Sequence, residues 1–413
     1  MTGMARDNDL ARDLKRAERR RRMTALALIA PLFLFLMVSF VLPIGDMLRR
    51  SMVDMELAEV WPRTAALTKA WVWDRSTEPT AEMFRALGED IRDSAEARTI
   101  AVAARRLNYA LHNGRSLVMS TGRAVRRETD DPADWRAWLI EVDPAWGERK
   151  TWIAIAQAAG PLTDFYLLTA MDLERNERNK IVRRPPETSL YLQVLGRTLF
   201  ISVTVTLISL VLGFPVAYLV ANAPKRIAGR LLILVLLPFW TSLLVRSAAW
   251  IVLLQDQGLI NGALQATGMI SEPMRLIFNR TGVVIAMTHV LLPFMILPMI
   301  ATMKSISPTY MRAALSLGAH PAIAFIRVYL PLTLPGVAAG VLLVFIMALG
   351  YYVTPALVGG AEDQMLAYFI AFYTTSSANW GLAAALGVML LTATAVLYLV
   401  YARLAGMGQV KLG

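Results

Sequence analysis

From Thr24 to Ile44 the chain runs 21 residues without a charged side chain. At 1.5 Å per residue, such a run crosses a hydrocarbon layer of about 30 Å as a helix. A backbone in lipid must satisfy its own hydrogen bonds, so a membrane-spanning helix is the structure this run dictates. Five further apolar runs follow at about Leu192 to Val220, Leu231 to Leu254, Val283 to Met303, Val337 to Leu357 and Leu382 to Tyr401, in which only Arg197, Arg246 and His289 are ionisable apart from tyrosine. Composition agrees: 56% of the 413 residues are hydrophobic and mean hydropathy is +0.48, above the usual 45 to 50% of soluble domains. We therefore expect an all-α membrane protein with six transmembrane helices. The first run follows Arg19, Arg20, Arg21 and Arg22, a flank that also suits a signal peptide. Its length exceeds a 7 to 15 residue signal core and no A-x-A site follows, so it is expected to stay as an anchor.

The formal charge of +11 raises the question of nucleic acid, and its placement answers it. Residues 47–190 hold 22 Lys+Arg against 22 Asp+Glu, leaving 20 of the 42 basic and 9 of the 31 acidic residues for the rest. Eight of those 20 basic residues lie in the first 22 positions. Across the short connecting segments, 16 basic residues fall on the side of the N-terminus and 2 on the other. Basic loops of this kind mark the cytoplasmic face, which puts both termini inside and removes the case for nucleic-acid binding. The balanced stretch 47–190 then lies outside. It carries seven of the ten tryptophans (Trp61, Trp71, Trp73, Trp135, Trp138, Trp146, Trp152). Good helix formers fill Thr80 to Arg127, and Asp131-Pro132 reads as another helix start. A mostly helical insert is expected, with some tryptophans in its core or at the membrane interface.

Several chemistries are excluded. Without cysteine there is no disulfide, thiolate metal site or cysteine nucleophile. His112, His289 and His320 are far apart and form no metal-ligand spacing, so no metal or cofactor is expected. No Asp or Glu lies within the six apolar runs, where an ion-coupled carrier would want buried carboxylates. No G-x-x-x-x-G-K-[ST] occurs; Gly147 to Thr151 is too short and has Arg149 where glycine should stand, so the chain binds no ATP by a P-loop.

Between two of the apolar runs, Ser307 to Gly336 reads SPTYMRAALSLGAHPAIAFIRVYLPLTLPG. Ser307 can cap a helix with Pro308 at its first position, and Gly318 sits where a left-handed residue would close it. Met311, Ala314, Leu315 and Gly318 share one apolar stripe. A second helix can start at Pro321 and run towards Tyr329, where LPLTLPG is expected to break it.

Ala313, Ala314, Gly318, Phe325, Leu330, Pro331, Pro335 and Gly336 match the cytoplasmic EAA loop of ATP-binding cassette (ABC) importer permeases, with Arg312 where that family usually has glutamate. Further residues narrow the resemblance to spermidine/putrescine-type permeases: Gly213 to Tyr218, Pro238 to Ser242, Leu244 to Arg246, Ala249-Trp250, Gly258 to Asn261, Val353 to Pro355, Gly359-Gly360, Asn379-Trp380 and Ala383 to Ala385. The resemblance covers about Tyr191 to Tyr401 and omits most of residues 47–190.

The resemblance implies the type I importer fold and a non-enzymatic transport subunit of the bacterial inner membrane. It would move a small cation such as a polyamine, with two copies of an ABC ATPase, a second permease and a periplasmic binding protein as partners. The implied units are 1–46 (basic segment and first span), 47–190 (periplasmic insert), 191–404 (permease core) and 405–413 (cytoplasmic tail). Tyr310, Met311, Arg312, Ala313, Ala314, Leu315, Gly318, Ala319, Phe325, Leu330 and Pro331 would form the ATPase-docking loop. Trp240, Thr241, Arg246, Trp250, Tyr351, Thr354, Pro355, Asn379 and Trp380 are pathway candidates. Asp256, Glu362 and Asp363 could attract a cation, or be solvated turn charges. For Arg246 two readings stand: shaping a gate, or snorkelling from the outer end of its helix to Asp256 or a lipid phosphate. Arg197 can snorkel, His289 reads as a packed histidine, and His320 as a helix cap. An ion-coupled carrier and a membrane-anchored sensor are the alternatives.

Overall fold

The basic segment and the first apolar run form one rod, in which α1 (Thr2–Leu36) passes through a π turn at Met37–Val41 into α2 (Leu42–Met52). The computed structural model describes residues 2–71, 78–128, 130–176 and 178–404. Trp73 and the tail from 405 lie outside the described residues. The wide turn precedes Pro43, which has no N–H to give to the preceding turn. There the Leu42 N–H donates to Met37 O, so the helix shifts register without breaking. The rod ends at Met52, past the expected boundary at residue 46.

The insert that follows is helical, as expected: α3 (Glu56–Val60), α4 (Pro62–Trp71), α5 (Ala81–Glu96), α6 (Ile100–Asn108), α7 (Gly114–Val125), α8 (Trp135–Val142), α9 (Arg149–Ala158) and α10 (Phe165–Ala170), then a hairpin of β1 (Leu173–Arg175) and β2 (Ile181–Arg183). Trp61, Trp146 and Trp152 are fully buried at its centre. Their indole N–H groups donate to Ser94 Oγ, Thr121 Oγ1 and Trp146 O at 3.1, 2.8 and 2.8 Å. A buried indole needs such a partner, and having one makes these tryptophans core residues rather than members of a membrane belt. The start of α8 is three residues later than Asp131: Asp134 is the cap, accepting from the N–H groups of Arg136 and Ala137.

Two buried carboxylates tie the insert to the bundle. Asp172, at φ +53°, accepts from the N–H groups of Leu190, Tyr191 and Leu192 at 2.9, 3.0 and 2.8 Å, capping α11 (Tyr191–Asn222) at its positive end. Asp54 is ion-paired with the fully buried Arg106 and accepts from Tyr166 Oη at 2.9 Å. Burial pushes the Tyr166 hydroxyl far above its ordinary range, which keeps it a donor. The Tyr166 ring lies on Gly381, where a Cβ would come within 2.4 Å of it.

Beyond α11 the bundle continues through α12 (Lys225–Leu236), α13 (Leu243–Leu254), α14 (Leu259–Ala266), α15 (Arg280–Ser305), α16 (Pro308–Ser316), α17 (Pro321–Ala324), α18 (Leu330–Leu349), α19 (Val353–Val358), α20 (Leu366–Thr375) and α21 (Trp380–Leu404). Among the described residues, six helical segments are long and apolar enough to cross a membrane: Arg20–Arg50, Tyr191–Asn222, Leu243–Ala266, Arg280–Ser305, Pro321–Leu349 and Trp380–Arg403. α11, α15 and α18 form the core around Met287, Met295, Met299 and Met303. Glycines allow the close approach: a Cβ at Gly340 would lie 2.8 Å from Met295 O, and one at Gly336 2.5 Å from Thr302 Oγ1.

Two spans depart from the sequence reading. The run Leu231 to Leu254 is not one helix: α12 tightens into a 3-10 turn at Leu237–Trp240, and α13 starts afresh with Ser242 Oγ accepting from Val245 N–H. Pro238 ends the first piece and Ser242 caps the second. The LPLTLPG stretch does not break the loop's second helix. α17 runs through a π turn at Phe325–Tyr329 into α18, so the fifth span starts at Pro321 and ends at Leu349, short of Leu357. As at Pro43, a wide turn precedes the proline, here Pro331, and the helix carries on.

Replacing Asp172 by alanine leaves three helix-start N–H groups without their acceptor and should destabilise the subunit by about 1 to 3 kcal/mol. Asp172→Asn, which keeps an acceptor and tolerates φ > 0, should recover part of the loss. The check is the thermal unfolding midpoint of the purified protein in detergent.

Candidate functional site

At the end of the bundle remote from the insert, Ser307 Oγ accepts from Thr309 N–H at 3.3 Å with Pro308 at the first helical position. α16 closes through Gly318 N–H to Leu315 O and Ala319 N–H to Ala314 O, at 3.0 and 3.1 Å, with Gly318 at φ +86°. The left-handed joint expected from the sequence is there. His320 Nδ1 accepts from Ala322 N–H at 3.3 Å and caps α17. Met311 packs on the bundle core, whereas Tyr310, Arg312, Ala313, Leu315 and Leu317 are exposed, Leu317 at 88%. Ala314 and Ala319 are half-buried. Arg312 has no ion pair among the described residues. α16 thus presents a largely apolar face that the described residues leave uncovered.

The following turn is clamped to the bundle. Tyr218, on α11, meets Phe325 and Tyr329 edge-on at 5.6 and 5.5 Å, and the latter two rings stack at 5.5 Å. Asn222 Nδ2 donates to Tyr329 Oη at 3.3 Å. Displacing α16 therefore loads α11 and α18 together, since Leu330 and Pro331 open α18. The sequence offered Tyr218 only as the end of the Gly213 to Tyr218 motif and did not single out Asn222, although their i, i+4 spacing at a span's end puts two polar tips on one face.

A second cluster lies beside two helix breaks, α12/α13 at Leu237–Ser242 and α18/α19 at Gly350–Tyr352. Ser247 Oγ and Thr354 Oγ1 are 3.0 Å apart and join α13 to α19. Trp250 Nε1 donates to His289 Nδ1 at 3.2 Å, joining α13 to α15. Arg246 lies within electrostatic reach of His289 and Tyr351. Its Nε, like Thr288 Oγ1, is buried without a hydrogen-bond partner among the described residues. Arg246 is eight residues before the end of α13 and His289 nine after the start of α15, so both sit about two turns in from those helix ends. Asp256 is exposed, and no ion pair joins it to Arg246 among the described residues.

The other candidates lie apart from this cluster. Trp240 (71% exposed) and Thr241 sit on the outer face of the α12/α13 break, and Pro355 is buried in α19. Asn379 is a cap, its Oδ1 accepting from Leu382 N–H, and Trp380 lies under Arg50 at 5.9 Å. Glu362 is exposed, but Asp363 is buried against Arg280 Nε at 3.2 Å and is committed to that pair. Arg197 does not snorkel; it donates to Gln364 O at 3.1 Å.

Residues 209–406 match the family described as binding-protein-dependent transport system inner membrane component. Over 214 residues the chain is 35% identical to the spermidine/putrescine transport system permease protein PotB of Salmonella typhimurium (strain SL1344), covering 52% of this chain and 75% of that protein. It is 35% identical to PotB of Escherichia coli (strain K12), covering 52% and 78%, and 36% identical to PotB of Haemophilus influenzae (strain ATCC 51907 / DSM 11121 / KW20 / Rd), covering 52% and 75%. The chain belongs to the family of inner-membrane permease components of binding-protein-dependent ABC importers. Its place is a multi-pass one in that membrane, and its work is transport alongside a binding protein and an ATPase.

Beyond its two chain neighbours, no atom of the described residues lies within 4 Å of where a Cβ at Gly318 would stand, so substitution there acts through the backbone. Gly318→Val should strain the joint by about 1 to 2 kcal/mol and abolish coupled uptake while the protein still inserts; Gly318→Asn, which tolerates φ > 0, should keep activity. Uptake at matched membrane expression checks both.

Proposed function

We propose that this chain is one of two permease subunits of an ATP-driven importer for small polyamine-class cations, and that α16 is the element gripped by the ATPase. The carrying observation is the exposed α16, closed by a left-handed glycine and clamped through Tyr218, Phe325 and Tyr329 to two membrane helices. An amphipathic helix with an uncovered apolar face suits a groove on a partner, and rigid attachment lets movement of that partner reach the bundle. The relatives' spermidine/putrescine transport supports the substrate class. On this reading both termini and α16 are cytoplasmic, which the basic segment before the first span supports. The insert is then periplasmic, and Asp172 and the Asp54–Arg106–Tyr166 group brace it on the bundle where a loaded binding protein would press.

ATP-dependent uptake of spermidine or putrescine that persists with ionophores present tests the reading; uptake that collapses with the ion gradient would point to a carrier. Exposed and unpaired, Arg312 should face an acidic group of the ATPase. Arg312→Glu should weaken ATPase co-purification, most clearly at low salt, by about 0 to 1 kcal/mol if the contact is at the rim and by several if it is enclosed.

A further inference from the structure

If the solute is a polycation, the membrane interior of this subunit is set against it. Tyr191–Asn222, Lys225–Leu254, Arg280–Ser305, Pro321–Leu349 and Trp380–Leu404 contain no Asp or Glu. Of the acidic residues in the other candidate spans, Asp46 is paired with Arg49 and Arg50 and Asp256 is exposed past the end of α13, whereas Arg246, inside α13, has no carboxylate pairing it among the described residues. An ionisable group within a span is costly and is kept for a function. Arg246 lies beside two helix breaks, α12/α13 and α18/α19, and irregular backbone in a membrane protein is tolerated only along a cavity or against protein. Hydrogen bonds from the adjoining residues, Ser247 to Thr354 and Trp250 to His289, fix α13 against α19 and α15. The guanidinium is thus carried on a braced helix.

We propose that Arg246 is the charge barrier that stops a free polyamine from crossing this subunit's side of the pathway unaided. A cation reaching the α13/α19 break meets a like charge with no counter-charge from this chain. It can pass only when the transport cycle moves Arg246 aside or another subunit brings an acidic group to it. The inference rests on the polyamine reading above and adds a residue that enforces dependence on the binding protein.

The complete transporter, reconstituted in proteoliposomes with ATP inside, tests this with radiolabelled putrescine and mannitol, each with and without the binding protein. Arg246→Gln should admit putrescine without the binding protein about tenfold faster than the unaltered transporter, a change of about 1.4 kcal/mol in barrier. Arg246→Lys, which keeps the charge, should stay tight, and mannitol entry should be the same in all three. Stimulation of ATP hydrolysis by the loaded binding protein verifies assembly, with Arg246→Met replacing the glutamine variant if that fails. A tight Arg246→Gln transporter, or one that leaks mannitol as much as putrescine, overturns the proposal. Failure of the unaltered transporter to import putrescine or spermidine with its binding protein overturns the substrate reading instead.

Discussion

In hydrocarbon no water is available to take up an unpaired N–H or C=O, and this constraint accounts for both the regular and the irregular parts of the bundle. Two prolines are passed by a π turn that precedes them, at Met37–Val41 before Pro43 and at Phe325–Tyr329 before Pro331, while Pro215, Pro293, Pro298 and Pro335 lie inside continuous helices. Where the chain does open, at Leu237–Ser242 and Gly350–Tyr352, the Thr241 and Ser242 hydroxyls bond the local backbone, and Ser247 and Trp250 join α13 to α19 and α15. The broken segments are therefore also the polar ones.

The same logic explains how a large insert can sit on a transporter without loosening it. Asp172 supplies acceptors to the first N–H groups of α11, and Tyr166 carries the insert's core onto Gly381 at the start of α21. At the centre of the insert's own core stand Trp61, Trp146 and Trp152, whose N–H groups are answered internally. The insert thus has a packed core of its own and joins α11 and α21 through a second apolar cluster around Tyr166, Tyr191 and Leu386.

Much of this was legible in the sequence. The spans follow from long apolar runs, and the loop from Ser307, Pro308, Gly318 and His320, whose capping roles depend only on local chemistry. Less legible were features set by neighbours distant in the chain. Nothing local distinguishes Pro238, which breaks its helix, from Pro331, which a wide turn lets its helix pass. Asp363 looks like a free turn charge until Arg280, 83 residues away, is seen beside it. The cluster around Arg246 draws on α13, α15 and α19; the sequence offered Arg246, Trp250, Tyr351 and Thr354 singly and gave no reason to join them to Ser247 and His289.

The central claim is that α16 is a docking helix carried rigidly by the membrane core. The chain contains no cysteine, so a single thiol placed at Leu317, the most exposed apolar residue of the loop, reports on one position only. With Leu317→Cys and a short thiol-to-amine cross-linker, the account predicts a covalent product with the ATPase subunit in the assembled transporter, together with loss of labelling by a water-soluble maleimide. A thiol that labels equally fast with and without the ATPase, and yields no cross-link to it, would contradict the account.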